Sequence, residues 1–219
     1  MATARDVRRR ARAWVGVPWR ARVATTYFWI ISATSLVEAG ASTRLGDAIL
    51  RASSTNLQGL GRHPLNVLVV SALWLDRGGY VFFVATFVLV LAPLEHWLGW
   101  WRALVAFAAG HVGASLLVAL GLSIGVRTRQ LDRSIARVID VGASYGTASC
   151  AALLCYRVPR RGRMVAVAAV WTVLIAALVR DANPTAWGHA AAAAIGFAGY
   201  PLTMRSRRPG PAVPLDLAG

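Results

Sequence analysis

The feature that most constrains this chain is a succession of apolar runs separated by short links rich in arginine, glycine and proline. A hydrocarbon core of about 30 Å needs roughly 17–25 apolar residues to cross it as a helix. Backbone N–H and C=O groups in lipid must be satisfied within the segment, and runs of this length do so as helices. The pattern predicts six spans, at residues 24–40, 78–94, 102–124, 141–156, 164–179 and 186–204, the first weakened by Glu38. A shorter run at 64–75 is too short to cross and reads as re-entrant or interfacial. The expected fold class is all-α: a polytopic six-transmembrane-helix bundle. One membrane domain is expected over 24–204, after a basic arm at 1–23 and before a proline-rich, unstructured tail at 205–219.

Composition agrees. The chain is 57% hydrophobic and only 15% charged, where a soluble domain is about half apolar and about a quarter charged. The formal net charge is +15, carried by arginine alone. Those arginines flank apolar runs instead of forming one stripe, so they indicate membrane topology and no nucleic-acid partner. Of the 24, 15 fall on one side of the six-span scheme: seven in the arm, Arg102, four at 157–163, and Arg205, Arg207 and Arg208. The bias predicts a multi-pass plasma-membrane protein with both termini cytoplasmic. Asp47, Asp76, Asp132, Asp140 and Asp181 all fall on the outer side. Trp97, Trp100 and Trp101 cluster at the inner boundary, and Trp187 lies at the outer one, as interfacial anchors do. The basic arm and first run mimic a secretory signal, but five further spans favour an uncleaved helix. Cys150 and Cys155 lie on different helix faces, badly placed to bridge.

Two stretches carry chemistry: Asp140-Val-Gly-Ala-Ser-Tyr-Gly146 and Trp187-Gly-His189. Asp140 and Asn183 read as N-caps at the outer ends of the fourth and sixth spans, with Pro184 at a helix start that tolerates it. Counting from those caps at 1.5 Å per residue, Ser144 lies about 6 Å inward and His189 about 9 Å. Gly142 and Gly146 on one span, and Gly196 with the alanines at 190–194 on the other, let the two helices approach closely. A serine becomes a nucleophile when a base takes its proton, and histidine titrates in the right range. Both groups are costly at membrane depth unless they face a wet cavity or each other. Asp140 could also tune the site from one turn before Ser144.

These residues resemble a rhomboid, the six-helix intramembrane serine proteases. Gly142-Ala-Ser144 is similar to the Gly-x-Ser-Gly stretch of the fourth rhomboid helix, with Tyr145 where the final glycine stands. His189, Ala193 and Gly196 match the histidine and small residues of the sixth helix. Leu94-Glu95-His-Trp-Leu-Gly99-Trp-Trp-Arg102 matches the Leu-Glu-x-x-x-Gly-x-x-Arg segment between helices two and three, and His63-Pro64 resembles the run leading to helix two. The resemblance spans about residues 63–202 and implies a Ser144–His189 dyad that cuts transmembrane substrates near the outer membrane face. One family feature is missing. The His-x-x-x-Asn pair of helix two, which helps bind the oxyanion, has no counterpart in residues 79–86, where Tyr80 and Thr86 are the polar side chains. Losing one oxyanion donor typically slows hydrolysis about a hundred- to a thousandfold.

Competing readings are weaker. Gly142-Ala-Ser-Tyr-Gly146 is literally a nucleophile-elbow motif, but that motif needs a strand before the serine. Glu95-His96 is no His-Glu-x-x-His zinc site, and no facing pair of membrane aspartates is present, so neither metal nor organic cofactor is implied. His111 matches no motif and reads as a packing residue. A catalytically inactive rhomboid-like protein that binds or escorts membrane clients is the alternative, favoured by Tyr145 and the missing pair. A transporter lacks support, because the spans show no duplicated halves. The expected partners are membrane-protein substrates or clients and the lipid bilayer.

Overall fold

The computed structural model describes residues 20–204 except Arg77, Val138 and Ala182. Most of the basic arm expected at 1–23, and all of the tail expected at 205–219, lie outside the described residues. Ten helices and two short 3₁₀ turns follow in order: α1 (Arg22–Gly40), α2 (Thr43–Ser53), α3 (Leu57–Arg62), α4 (Pro64–Ser71), α5 (Tyr80–Leu98), α6 (Trp100–Arg127), a 3₁₀ turn (Arg133–Arg137), α7 (Ser144–Leu154), a 3₁₀ turn (Cys155–Arg157), α8 (Arg160–Arg180), α9 (Pro184–Ala198) and α10 (Pro201–Met204). The described residues are all-helical, with no strand. Three helices, α5, α6 and α8, are long and apolar enough to cross a membrane.

Helix α1 begins without a side-chain cap of its own. Its first N–H groups are taken by Glu95, distant in sequence: Val23 N donates to Oε1 at 3.1 Å and Ala24 N to Oε2 at 2.6 Å. A carboxylate at a helix start gains from charge-assisted hydrogen bonds and the positive end of the helix dipole. That is how a buried glutamate is tolerated here. The run at 64–75 folds as the eight-residue α4, entered through Pro64, and does not cross. Ser42 and Asn56 cap α2 and α3, accepting from Leu45 N and Gly59 N.

Helix α5 carries Pro93, which has no N–H to give and whose ring crowds the carbonyl four residues earlier. The turn before it widens to a π-helix at Phe87–Leu91, an insertion that relieves both problems. Gly99 then reverses the chain into α6 at φ 85°, a conformation open to glycine. Helix α8 buries none of its residues and turns Met164, Val165, Val173 and Val179 outward, as a lipid-facing helix would.

Helices α6, α7 and α9 form the packed centre. Missing side chains set their spacing. A Cβ on Gly110 of α6 would lie 2.1 Å from Ser149 Cβ of α7, and one on Gly196 of α9 would lie 2.1 Å from the Ser149 backbone oxygen. Gly146 of α7 admits the Phe107 ring of α6, and Gly113 of α6 admits Ile195 of α9. The small-residue contact between the serine- and histidine-bearing helices therefore runs through Gly196, with the fully buried Ala192 and Ala193 beside it. Gly146 faces the third member of the trio. Cys150 and Cys155 are buried and unbridged.

Two outcomes follow. Gly196→Leu should lower stability by about 1–3 kcal/mol or more through overpacking, read as a fall in melting temperature in detergent. Gly121→Ala, whose Cβ meets nothing within 4 Å, should melt like the parent. Glu95→Ala should be destabilised by about 1–3 kcal/mol, because it orphans two N–H groups, and Glu95→Gln, which keeps one acceptor, by less.

Candidate active site

Ser144 is the first residue of α7, and the turn before it is tied down on three sides. Gly142, at φ 124°, donates its N–H to the Ser71 carbonyl at 2.9 Å. Asp140 N donates to Ser54 Oγ at 2.7 Å. Thr55 donates its N–H and its hydroxyl to the Asp140 carbonyl, and its hydroxyl also to Asp140 Oδ2 at 3.1 Å. The stretch from the end of α2 to the end of α4 thus fixes where α7 begins.

Asp140 does not cap α7, contrary to expectation. The cap position is Ala143, which offers no side-chain acceptor. A cap must immediately precede the first helical residue to reach the N–H groups one turn on. The left-handed turn at Gly142 puts Asp140 outside that position, and its carboxylate bonds Thr55 instead. Ser144 therefore heads its helix instead of lying a turn inside it. Gly142 belongs to this turn and not to a helix interface.

His189 is the sixth residue of α9, whose start is as expected: Asn183 Oδ1 accepts from Ala186 N at 2.8 Å and Pro184 occupies the first turn. The imidazole is half-buried and meets the Tyr145 ring edge-on, with centroids 5.2 Å apart and planes at 78°. Tyr145 fits because Gly188 has no side chain: a Cβ there would lie 2.3 Å from Tyr145 Cζ. The Tyr145 hydroxyl faces the Asp140 and Thr185 side chains without a well-formed hydrogen bond to either. Ser144 and His189 thus sit on helices packed against each other, with Tyr145 bridging from one to the other. Among the hydrogen bonds of the described residues, none joins the serine to the histidine. Ser144 is half-buried and within reach of the surface.

The two polar side chains of residues 79–86, where the family's second-helix pair would stand, are engaged elsewhere. Tyr80 shares a hydrogen bond with Ser32 Oγ at 2.9 Å, and Thr86 Oγ1 donates to Phe83 O within its own helix. The first-turn N–H groups of α7 remain, since no side chain caps them.

A second serine and histidine meet where sequence reasoning did not place a pair. His111 Nε2 lies 3.1 Å from Ser71 Oγ and 3.0 Å from the Leu68 carbonyl. A carbonyl only accepts, so Nε2 carries the proton and cannot take one from Ser71. His111 Nδ1 is buried without a partner, and Ser71 is fully buried. The contact is a tie between α4 and α6. The one signal for it in the sequence was an ionisable residue at membrane depth, which demands a polar partner.

Burial pushes the Asp140 carboxyl above the ordinary carboxylate range, opposed in part by the nearby Tyr145 hydroxyl and by the Thr55 hydrogen bond. With the folded value raised, the folded chain holds the proton at a pH where the unfolded chain has released it. The stabilisation is complete below about pH 4 and is lost as pH rises through the folded value. Unfolding in detergent should therefore show stability falling with pH over that window, and Asp140→Asn should flatten the slope.

A family model of rhomboid-like proteins matches residues 20–209. No curated protein and no solved structure matches the chain. The matched region takes in the Glu95 segment, the Ser144 turn and the His189 helix, and on that coverage the chain belongs to the rhomboid-like family.

Proposed function

We propose that this chain is an intramembrane serine endopeptidase that cuts transmembrane substrates near the outer face of the plasma membrane through a Ser144–His189 dyad. The observation that carries this reading is the place of Ser144, at the head of an uncapped helix packed against the one that bears His189. Ser144 Oγ attacks the scissile carbonyl, and His189 takes its proton and returns it to the leaving amine. Water then releases the acyl group by the same route. Oxyanion binding falls to the first N–H groups of α7, because a helix start presents unpaired donors and a favourable dipole. The serine and histidine are not bonded at rest, and substrate closes that gap. Catalytic hydrogen bonds commonly tighten only in the complex. A substrate helix hides its peptide groups in internal hydrogen bonds, so cleavage falls where glycine or proline lets it unwind. In this reading α1, α7 and α9 complete six spans with α5, α6 and α8, with both termini cytoplasmic.

A second reading is a non-catalytic relative that holds membrane clients. The Tyr145 ring on His189 favours it, as does the absence of a second-helix donor pair.

Co-expression with a single-span reporter separates the two. Ser144→Ala and His189→Ala should each reduce cleavage about 10⁴-fold or to background, and a fluorophosphonate probe should label the parent and not Ser144→Ala. A reporter that stays intact yet co-purifies equally with the parent and both variants would establish the client-binding reading instead.

A further inference from the structure

The charge bias leaves one cluster unexplained. Arg127, Arg129 and Arg133 lie within seven residues, on the face the arginine count assigns as outer. An arginine closing a long helix complements its dipole, which accounts for Arg127 at the end of α6. It does not account for Arg129, held at φ 61° beyond the helix, or for Arg133 at the start of a 3₁₀ turn. All three are exposed and in no salt bridge among the described residues, although the Asp132 carboxylate, in the same hollow, lies close enough to Arg133 to feel its charge. The one acid among them, Asp132, accepts from Ser134 N at 2.7 Å.

Beside this cluster lies an apolar cleft of about 500 Å³ between α6, α9 and the loop that follows α6, lined by Leu117, Gly121, Leu122, Leu131, Ile135 and Trp187 among others. A second, polar hollow holds the three arginines, and Leu131 lines both. Leu131 is seated over Gly125, where a Cβ would lie 2.5 Å from its Cδ1. The apolar cleft and the cationic hollow thus adjoin at Leu131. From Arg127 to Leu117 is ten residues, or about 15 Å along a helix, which is half of a hydrocarbon core about 30 Å thick.

We propose that this cleft binds one anionic phospholipid of the phosphatidylglycerol type, with an acyl chain against Leu117–Leu122 and its phosphate among Arg127, Arg129 and Arg133. Depth, polarity and charge each match one part of such a lipid. A soluble anion would have no use for the apolar half, and a neutral lipid none for the arginines. Basic pockets beside membrane helices take anionic headgroups for the same reason. The cleft shares α9 with His189, through Trp187 and Ala191, and lipid retention is read without any catalytic step.

The purified full chain in neutral detergent is titrated with phosphatidylglycerol or phosphatidylcholine and read by native mass spectrometry. The parent should retain phosphatidylglycerol at least about tenfold better, and that preference should collapse near 1 M salt, where the Debye length is about 3 Å. The combined variant Arg127→Gln, Arg129→Gln, Arg133→Gln should lose the preference. Gly121→Leu, which projects into open space in the cleft, should lower retention of both lipids at an unchanged melting temperature. Equal retention of the two lipids by the parent would overturn the proposal. So would an undiminished preference in the triple variant, unchanged retention in Gly121→Leu, or full displacement of the lipid by inorganic phosphate at matched ionic strength.

Discussion

Ser149 is a point at which three helices meet closely. Gly110 presses on its side chain from α6, and Gly196 presses on its backbone from α9. Its hydroxyl donates to the Ala106 carbonyl, which ties α7 to α6 as well. Lipid offers no hydrophobic drive for helices to associate, so close van der Waals contact and a few interhelical hydrogen bonds must hold them. Contact this close leaves α7 little freedom to slide or rotate, and Ser144 sits only five residues from the pinch. Helix α8 is the counterexample: it buries nothing and is held at the rim.

The polar ties around α7 do a different job. Bonds from Ser54, Thr55 and Ser71 all end on the segment 140–142. They set where the helix begins, and the glycine contacts set how it lies. His111 joins the same scheme by anchoring α4, whose Ser71 carbonyl receives the Gly142 N–H. The residues between α1 and α5 thus form a brace for the turn that presents the serine.

What could be read from the sequence was whatever is local. Apolar length announced α5, α6 and α8, and Asn183-Pro184 announced the start of α9, because a cap acts within one turn. The glycines announced close packing without naming partners, and Gly146 turned out to face α6. The misplaced cap at Asp140 has the same root. Aspartate near a helix start is ordinarily a cap, and only the left-handed Gly142 shows that it belongs to the turn. The Ser71–His111 tie joins positions 40 residues apart, and no local pattern reports a partner at that distance. The Glu95 segment was recognised as a motif, but its physical role was not: the groups it caps lie 71 and 72 residues earlier.

That last separation bears on how the chain is assembled. The leading N–H groups of α1 emerge from the ribosome long before the carboxylate that satisfies them. Until residue 95 is synthesised and α5 is in place, the first helix has a ragged end whose donors need water or headgroups. Its settled seat is therefore acquired late, after insertion has delivered a downstream hairpin.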